Sequence, residues 1–155
     1  MTDRVDAGRV AKQKLFPVGA NETALSLNAR CYEAGLAAFE EIASEIAGGE
    51  LHLTPQSGER SFFARDRRPE ALATIDISRP ASAIAALVGA LDWGAYANPL
   101  ARAKMLCDGR ILLVREARAM ETASRSPAGT VVAVRDDGMV VATGEGDVLL
   151  AGITQ

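Results

Sequence analysis

Two cysteines, Cys31 and Cys107, are too few for a disulfide framework and stand at no metal-ligand spacing. A disulfide-stapled secreted domain is thereby excluded, and reduced thiols are the plain reading. A basic excess is also missing. The formal net charge is -3, and lysine and arginine are scattered rather than gathered in a stripe, so bulk charge gives no footprint for nucleic acid. Nor is there a long hydrophobic run. The longest apolar stretch, 84–96, is broken by Gly89, Asp92, Trp93 and Gly94, and it falls short of the ~20 residues a spanning helix needs. With neither a membrane span nor a signal peptide read, a cytoplasmic location is expected.

What is present is the composition of a folded protein. The 155 residues are 48% hydrophobic and 24% charged, enough for one large domain or two small ones. The alternation of Val10, Lys12, Lys14 and Phe16 across 9–18 suits a strand. Over 22–47, Leu25, Tyr32, Leu36, Phe39, Ile42, Ala43 and Ile46 fall at steps of three, four or seven and so share a helical face. Asn21 can cap that helix, and Gly48-Gly49 stops it. A strand followed by a capped helix is the tail end of an α/β, Rossmann-like unit. The strands that would cover it are not in the sequence, so exposed apolar surface is expected.

The segment 51–73 is polar and irregular and reads as a linker, dividing the chain into 1–50, the linker and 74–155. Its cluster Arg65, Arg67 and Arg68 is interleaved with Asp66 and Glu70, which favours a solvated surface over a phosphate site. Beyond it, Ser78 and Pro80 mark a helix start, and Ile84, Leu87, Val88 and Leu91 form a stripe facing inward. Short β-prone runs follow at 104–107, 110–117, 130–135, 139–143 and 148–153. They are separated by Asp108-Gly109, Pro127-Ala128-Gly129, Asp136-Asp137-Gly138 and 144–147, turn chemistry typical of hairpins. About five antiparallel strands of this length must close or cover their edges, which points to a small OB-like antiparallel β-barrel beside the helix. The expected fold class is α+β.

Order and spacing then carry a resemblance. Val5-Asp6-Ala7-Gly8 is followed by Lys14-Leu15-Phe16-Pro17-Val18, by Asn21-Glu22-Thr23, by Ile75-Asp76-Ile77-Ser78-Arg79-Pro80, by Pro127-Ala128-Gly129-Thr130-Val131 and by Val141-Ala142-Thr143-Gly144. In that order they resemble the folate-dependent formyltransferases of the methionyl-tRNA formyltransferase type, across essentially the whole chain. The resemblance implies an α/β catalytic domain that ends soon after the Asp-x-Gly motif, then a linker, a helix and an OB-like barrel.

It also implies transfer of a formyl group from 10-formyltetrahydrofolate to a primary amine. The amine attacks the formyl carbon, an oxyanion forms, and a proton leaves the nitrogen. An Asn, a His and an Asp do this work in the family, and only the Asp maps here, as the catalytic candidate Asp6. Asp3 reads as a surface turn residue, and His52 lies in the linker outside the motif order. The chain is accordingly expected to be a C-terminal portion, inactive alone and without tight folate binding.

The acceptor stays open between an aminoacyl-tRNA and a carrier-bound amino acid. From Leu100 onward, Arg102, Lys104, Arg110, Arg115, Arg118, Arg125 and Arg135 are balanced by Asp108, Glu116, Glu121, Asp136, Asp137, Glu145 and Asp147, which weakens the tRNA case. Tyr96-Ala97-Asn98-Pro99-Leu100 resembles the segment found in secondary-metabolism members, including formylation domains of peptide synthetases. Trp93, Tyr96 and Asn98 are therefore substrate-binding candidates, or else a packed corner between helix and barrel. Two other classes stand beside the enzyme fragment. One is an OB-like binding module with no catalysis. The other is an interaction subunit that completes its α/β half with a second chain, a homodimer included.

Overall fold

The computed structural model describes residues 6–59 and 61–155; Asp3 and Val5 lie outside them. The chain divides into two compact units. The first comprises residues up to Val18 together with 27–65, and the second comprises 19–26 and 66–155.

In the first unit the dominant element is helix α1, Ala24–Gly48, whose opening turn belongs to the second unit. Its cap is Thr23 rather than the expected Asn21. Thr23 Oγ1 accepts from the Ser26 backbone N–H (3.1 Å) while Ser26 Oγ accepts from the Thr23 N–H (2.9 Å). This is a capping box with serine in the third position, satisfying two otherwise orphaned donors. The stop falls where the glycines place it. Gly49 takes φ +73°, its N–H bonds to the Ile46 carbonyl, and the Glu50 N–H reaches back to that of Glu45. Those two bonds are a Schellman closure.

The expected strand over 9–18 is absent. Only Val10 pairs, as a single bridge to Thr54 with N···O distances of 2.8 and 2.9 Å. Alternation alone does not make a strand without a partner ladder, and among the described residues none runs beside 11–18. This segment is tied to α1 by charge instead. Lys12 pairs with Glu45 and Glu41, and Lys14 with Glu41. The Arg30 guanidinium lies 4.5 Å from the Phe16 ring centroid. The Glu45 hydrogen bond raises the Lys12 pKa, and the bond from Lys14 lowers that of Glu41. The apolar stripe of α1 is open to solvent: Tyr32, Leu36, Phe39 and Ile46 are 59–69% exposed.

The second unit is α+β. Helix α2, Ala81–Leu91, starts directly after Pro80, as expected. Strands β1 (Lys104–Cys107) and β2 (Arg110–Leu113) form a hairpin through Asp108 and Gly109, both at positive φ, the conformation a tight two-residue turn requires. Strands β3 (Glu116–Ala119), β4 (Val131–Arg135), β5 (Gly138–Ala142) and β6 (Asp147–Ala151) form an antiparallel sheet in the order β3-β6-β5-β4. The single run expected over 110–117 is thus two strands in different sheets. It breaks at Val114 and Arg115, whose N–H groups turn to Ala103 and Ala151. No barrel closes, because β3 and β4 are free sheet edges.

The core lies between α2 and the sheet. Ile84 and Val88 from α2 meet Val141, Val148 and Leu150, all 2% exposed or less. Full burial of each such side chain contributes roughly 1.5–3 kcal/mol. Leu87 and Leu91, the rest of the expected stripe, are partly buried against the same core. The β5–β6 turn locks the helix in place. The Ala81 N–H donates to the Glu145 carbonyl (2.9 Å), and that of Gly144 donates to the carbonyls of Ile77 (3.0 Å) and Arg79 (3.2 Å). A Cβ on Gly144 would lie 1.8 Å from the Ser78 carbonyl oxygen, so only glycine permits this approach. At its near end the turn of the β3–β4 connection is held by Asp147, buried, whose carboxylate accepts from the Ser124 N–H (2.7 Å) and hydroxyl (3.0 Å).

Candidate functional site

Asp6 is exposed in a turn at φ +54°, within the first unit. A side chain fifty residues away sets the loop. The Gln56 Nε2 donates to the backbone carbonyls of Asp6 (3.0 Å) and Gly8 (2.6 Å), while the Val10–Thr54 bridge pins the same two segments. The amide therefore fixes the path of Asp-Ala-Gly and leaves the Asp6 carboxylate outside that clamp. Gln56 had no separate signal in the sequence beyond its place in a turn-rich run. His52, two residues before Thr54, is exposed. Arg65, Asp66, Arg67 and Arg68 are exposed as well.

Trp93, Tyr96 and Asn98 are brought together in the second unit, around a cavity of about 500 Å³ at the end of α2. Local chemistry builds this corner. Asp92 ends the helix, its Oδ1 accepting from the Gly94 N–H (2.8 Å), and Gly94 adopts φ +60°. The Tyr96 N–H then returns to the Trp93 carbonyl (3.1 Å). Asn98 staples the turn: its Nδ2 donates to the Leu91 carbonyl (2.8 Å) and its Oδ1 accepts from the Leu100 N–H (2.7 Å). Asn98 thus positions the corner, and Tyr96 is 71% exposed at its rim. The Trp93 indole N–H is buried without a hydrogen-bond partner. Arg102 and Arg115, which the sequence reading placed only in a charge balance, also line this cavity.

Two smaller cavities, of about 370 and 300 Å³, are also lined by second-unit residues, and none of the three takes in Asp6.

Residues 69–155 match the family model described as formyl transferase, C-terminal domain. The chain belongs to this formyltransferase family. Among curated relatives, the methionyl-tRNA formyltransferase of Herminiimonas arsenicoxydans is 29% identical over 143 residues, 92% of this chain and 43% of that protein. The enzyme of the same name from Synechococcus is 28% identical over 156 residues, with 97% and 46% covered. The chain spans a little under half the length of those relatives. Solved structures agree on the fold. The N-formyltransferase from Helicobacter canadensis, crystallised with folinic acid and dTDP-3-aminofucose, superposes with a TM-score of 0.73 at 15% identity, covering 99% of this chain and 53% of that one. HypX from Aquifex aeolicus, in complex with tetrahydrofolic acid, gives 0.63 at 20% identity, with 98% and 25% covered.

Proposed function

We propose that this chain is the C-terminal portion of an enzyme that moves a formyl group from 10-formyltetrahydrofolate to a primary amine, and that Asp6 is its catalytic carboxylate. The observation that carries the formyl-transfer reading is the family match over 69–155, while the role of Asp6 rests on the Asp-x-Gly resemblance outside that match. The formyl donor supplies the electrophilic carbon. Asp6, on a loop whose carbonyls accept from Gln56, is proposed to position a water for the proton that the attacking amine must lose and to hold the charge state of the family's His. The Asn and His of the family's chemistry map to no residue of this sequence, so the chain alone is read as inactive. Trp93, Tyr96 and Asn98 are proposed as the acceptor side, Asn98 by holding the corner and the two aromatics by contact.

The division into 1–50, a linker 51–73 and 74–155 is kept as the domain reading, with the last part an OB-like fold whose barrel stays open. The acceptor is proposed to be an amine on tRNA or on a carrier protein, and the location cytoplasmic; no helix among the described residues is long and apolar enough to cross a membrane. The family match favours formyl transfer over a binding module. The exposed stripe of α1 supports association with a second copy.

The test is a chimera with the remainder of the Herminiimonas relative fused ahead of this chain, assayed for formyl transfer from 10-formyltetrahydrofolate to that relative's own acceptor. Transfer by the chimera should fall by about 10² or more in Asp6→Asn, the usual worth of a positioned acid–base group. Transfer by the isolated chain, or a chimera indifferent to Asp6→Asn, would sink the proposal.

A further inference from the structure

We propose that the cavity at the end of α2 binds a small ligand that joins a flat ring to an anionic group, of the nucleoside-phosphate class. Its volume of about 500 Å³ suits such a molecule. The argument rests on which polar groups in its wall are already engaged. Asp92 is the only carboxylate among the lining residues, and it is engaged by the Gly94 N–H. The Asn98 amide is engaged on both of its polar atoms.

Among the charged groups two guanidiniums remain, and beside them the buried Trp93 indole N–H has no hydrogen-bond partner. Arg102 and Arg115 are exposed, line the cavity, and pair with no carboxylate among the described residues. The acid beside Arg115 in sequence, Glu116, is engaged elsewhere, 3.5 Å from Arg118. The stem of Arg115 packs against the backbone of Gly152, where an added Cβ would lie 2.8 Å from the Arg115 Cβ. The cavity therefore carries two unpaired cations against one engaged carboxylate, on a chain whose net charge is -3. Unpaired guanidiniums on a concave wall select for phosphate or carboxylate oxygens, which they bind bidentately. The remaining wall is aromatic and apolar, with Trp93 and Tyr96 beside Leu113 and Val114, which suits a planar ring. If formyl transfer is the activity, such a ligand is the non-reacting handle of the acceptor; that role rests on the proposed function, whereas the binding does not.

Trp93 is the only tryptophan of the chain, so its fluorescence reports this cavity alone. Titration of the full chain with adenosine 5′-monophosphate at low salt should give a saturable change. Adenosine alone and inorganic phosphate alone should bind at least tenfold more weakly. Arg102→Gln, a change at an exposed side chain, should weaken binding by tenfold or more with the thermal midpoint unchanged, and added salt should weaken it in the parent. No saturable response up to about 10 mM, an Arg102→Gln variant that binds as the parent does, or phosphate alone binding as tightly, each overturns the proposal. An active chimera with no nucleotide response removes the cavity site and leaves formyl transfer standing; nucleotide binding with an inactive chimera does the reverse.

Discussion

At the scale of single residues, the backbone just ahead of the second unit's first pairing, Thr74 to Lys104, carries the clearest strain. Ala71, Leu72 and Ala73 sit in succession at φ +47°, +52° and +62°, a left-handed turn containing no glycine. For an L-residue this costs about 1–2 kcal/mol each. The surroundings hold it there. Ala73 is fully buried, Thr74 Oγ1 donates to the Ala71 carbonyl (2.8 Å), Lys104 Nζ donates to that of Leu72 (2.6 Å), and the Ile75 N–H bonds to the Lys104 carbonyl (2.7 Å). Ala71 is exposed and its methyl is not part of this anchoring. Ala71→Gly should therefore stabilise the chain by about 0.5–1 kcal/mol, the relieved strain exceeding the entropy that glycine adds to the unfolded state. Urea denaturation checks this, and an unchanged or lower midpoint would show that the turn is not strained. Nothing in Glu70-Ala71-Leu72-Ala73 announces a left-handed turn, since each of these residues has good helix propensity. The conformation is imposed from outside by Lys104 and Thr74.

At the scale of elements, what was legible followed locality. Gly48-Gly49 ended α1, Pro80 opened α2 and Asp108-Gly109 turned the first hairpin, because each device works within a few residues. Thr23 displaced Asn21 as cap only through its reciprocal bond with Ser26, a choice between two good caps that composition does not rank. That 9–18 forms no strand beyond the Val10–Thr54 bridge, and that Gln56 clamps the Asp6 loop, were not legible, since both turn on residues more than forty positions away. The lead into α2 is local and carries a pH dependence. The Ser78 hydroxyl (2.6 Å) and N–H (3.0 Å) both donate to Asp76 Oδ1, the hydroxyl bond first in effect, and they hold the carboxyl below its ordinary 3.8. A lowered folded value means the contribution is complete above 3.8 and is lost as the pH falls through the folded value. Asp76→Asn should thus be less stable than the parent near neutrality, and the gap should close in acid. Denaturant midpoints of both proteins from about pH 6 down to about pH 3 check this; a gap independent of pH would place the effect in something other than the charge.

At the scale of the whole molecule, the apolar stripe of α1 was expected to stay exposed for want of covering strands, and the structure leaves it outside. The face that is covered is the mixed one, where Arg30, Glu41 and Glu45 meet Phe16, Lys12 and Lys14. Amphipathic spacing says that a helix has two faces, and it does not say what arrives to cover either. Tyr32, Leu36, Phe39 and Ile46 then form a continuous row at helical spacing, each more than half exposed. Rows of this kind are rare on monomers because water gains by their removal. A second copy covering the row would place Phe39 near the centre of an isologous contact, since it lies mid-row between Leu36 and Ile46. Sedimentation should accordingly show concentration-dependent dimerisation in the range of tens of micromolar, about -6 to -7 kcal/mol of association free energy. Phe39→Asp should return the chain to monomer without lowering its thermal midpoint, because the side chain is 69% exposed and contributes little to the fold. A parent that stays monomeric at every concentration would remove the homodimer and leave the row to a different polypeptide. A dimer that Phe39→Asp does not disturb would put the contact on another surface, with the edge of β4, where Val134 is 79% exposed, as the next face to mutate.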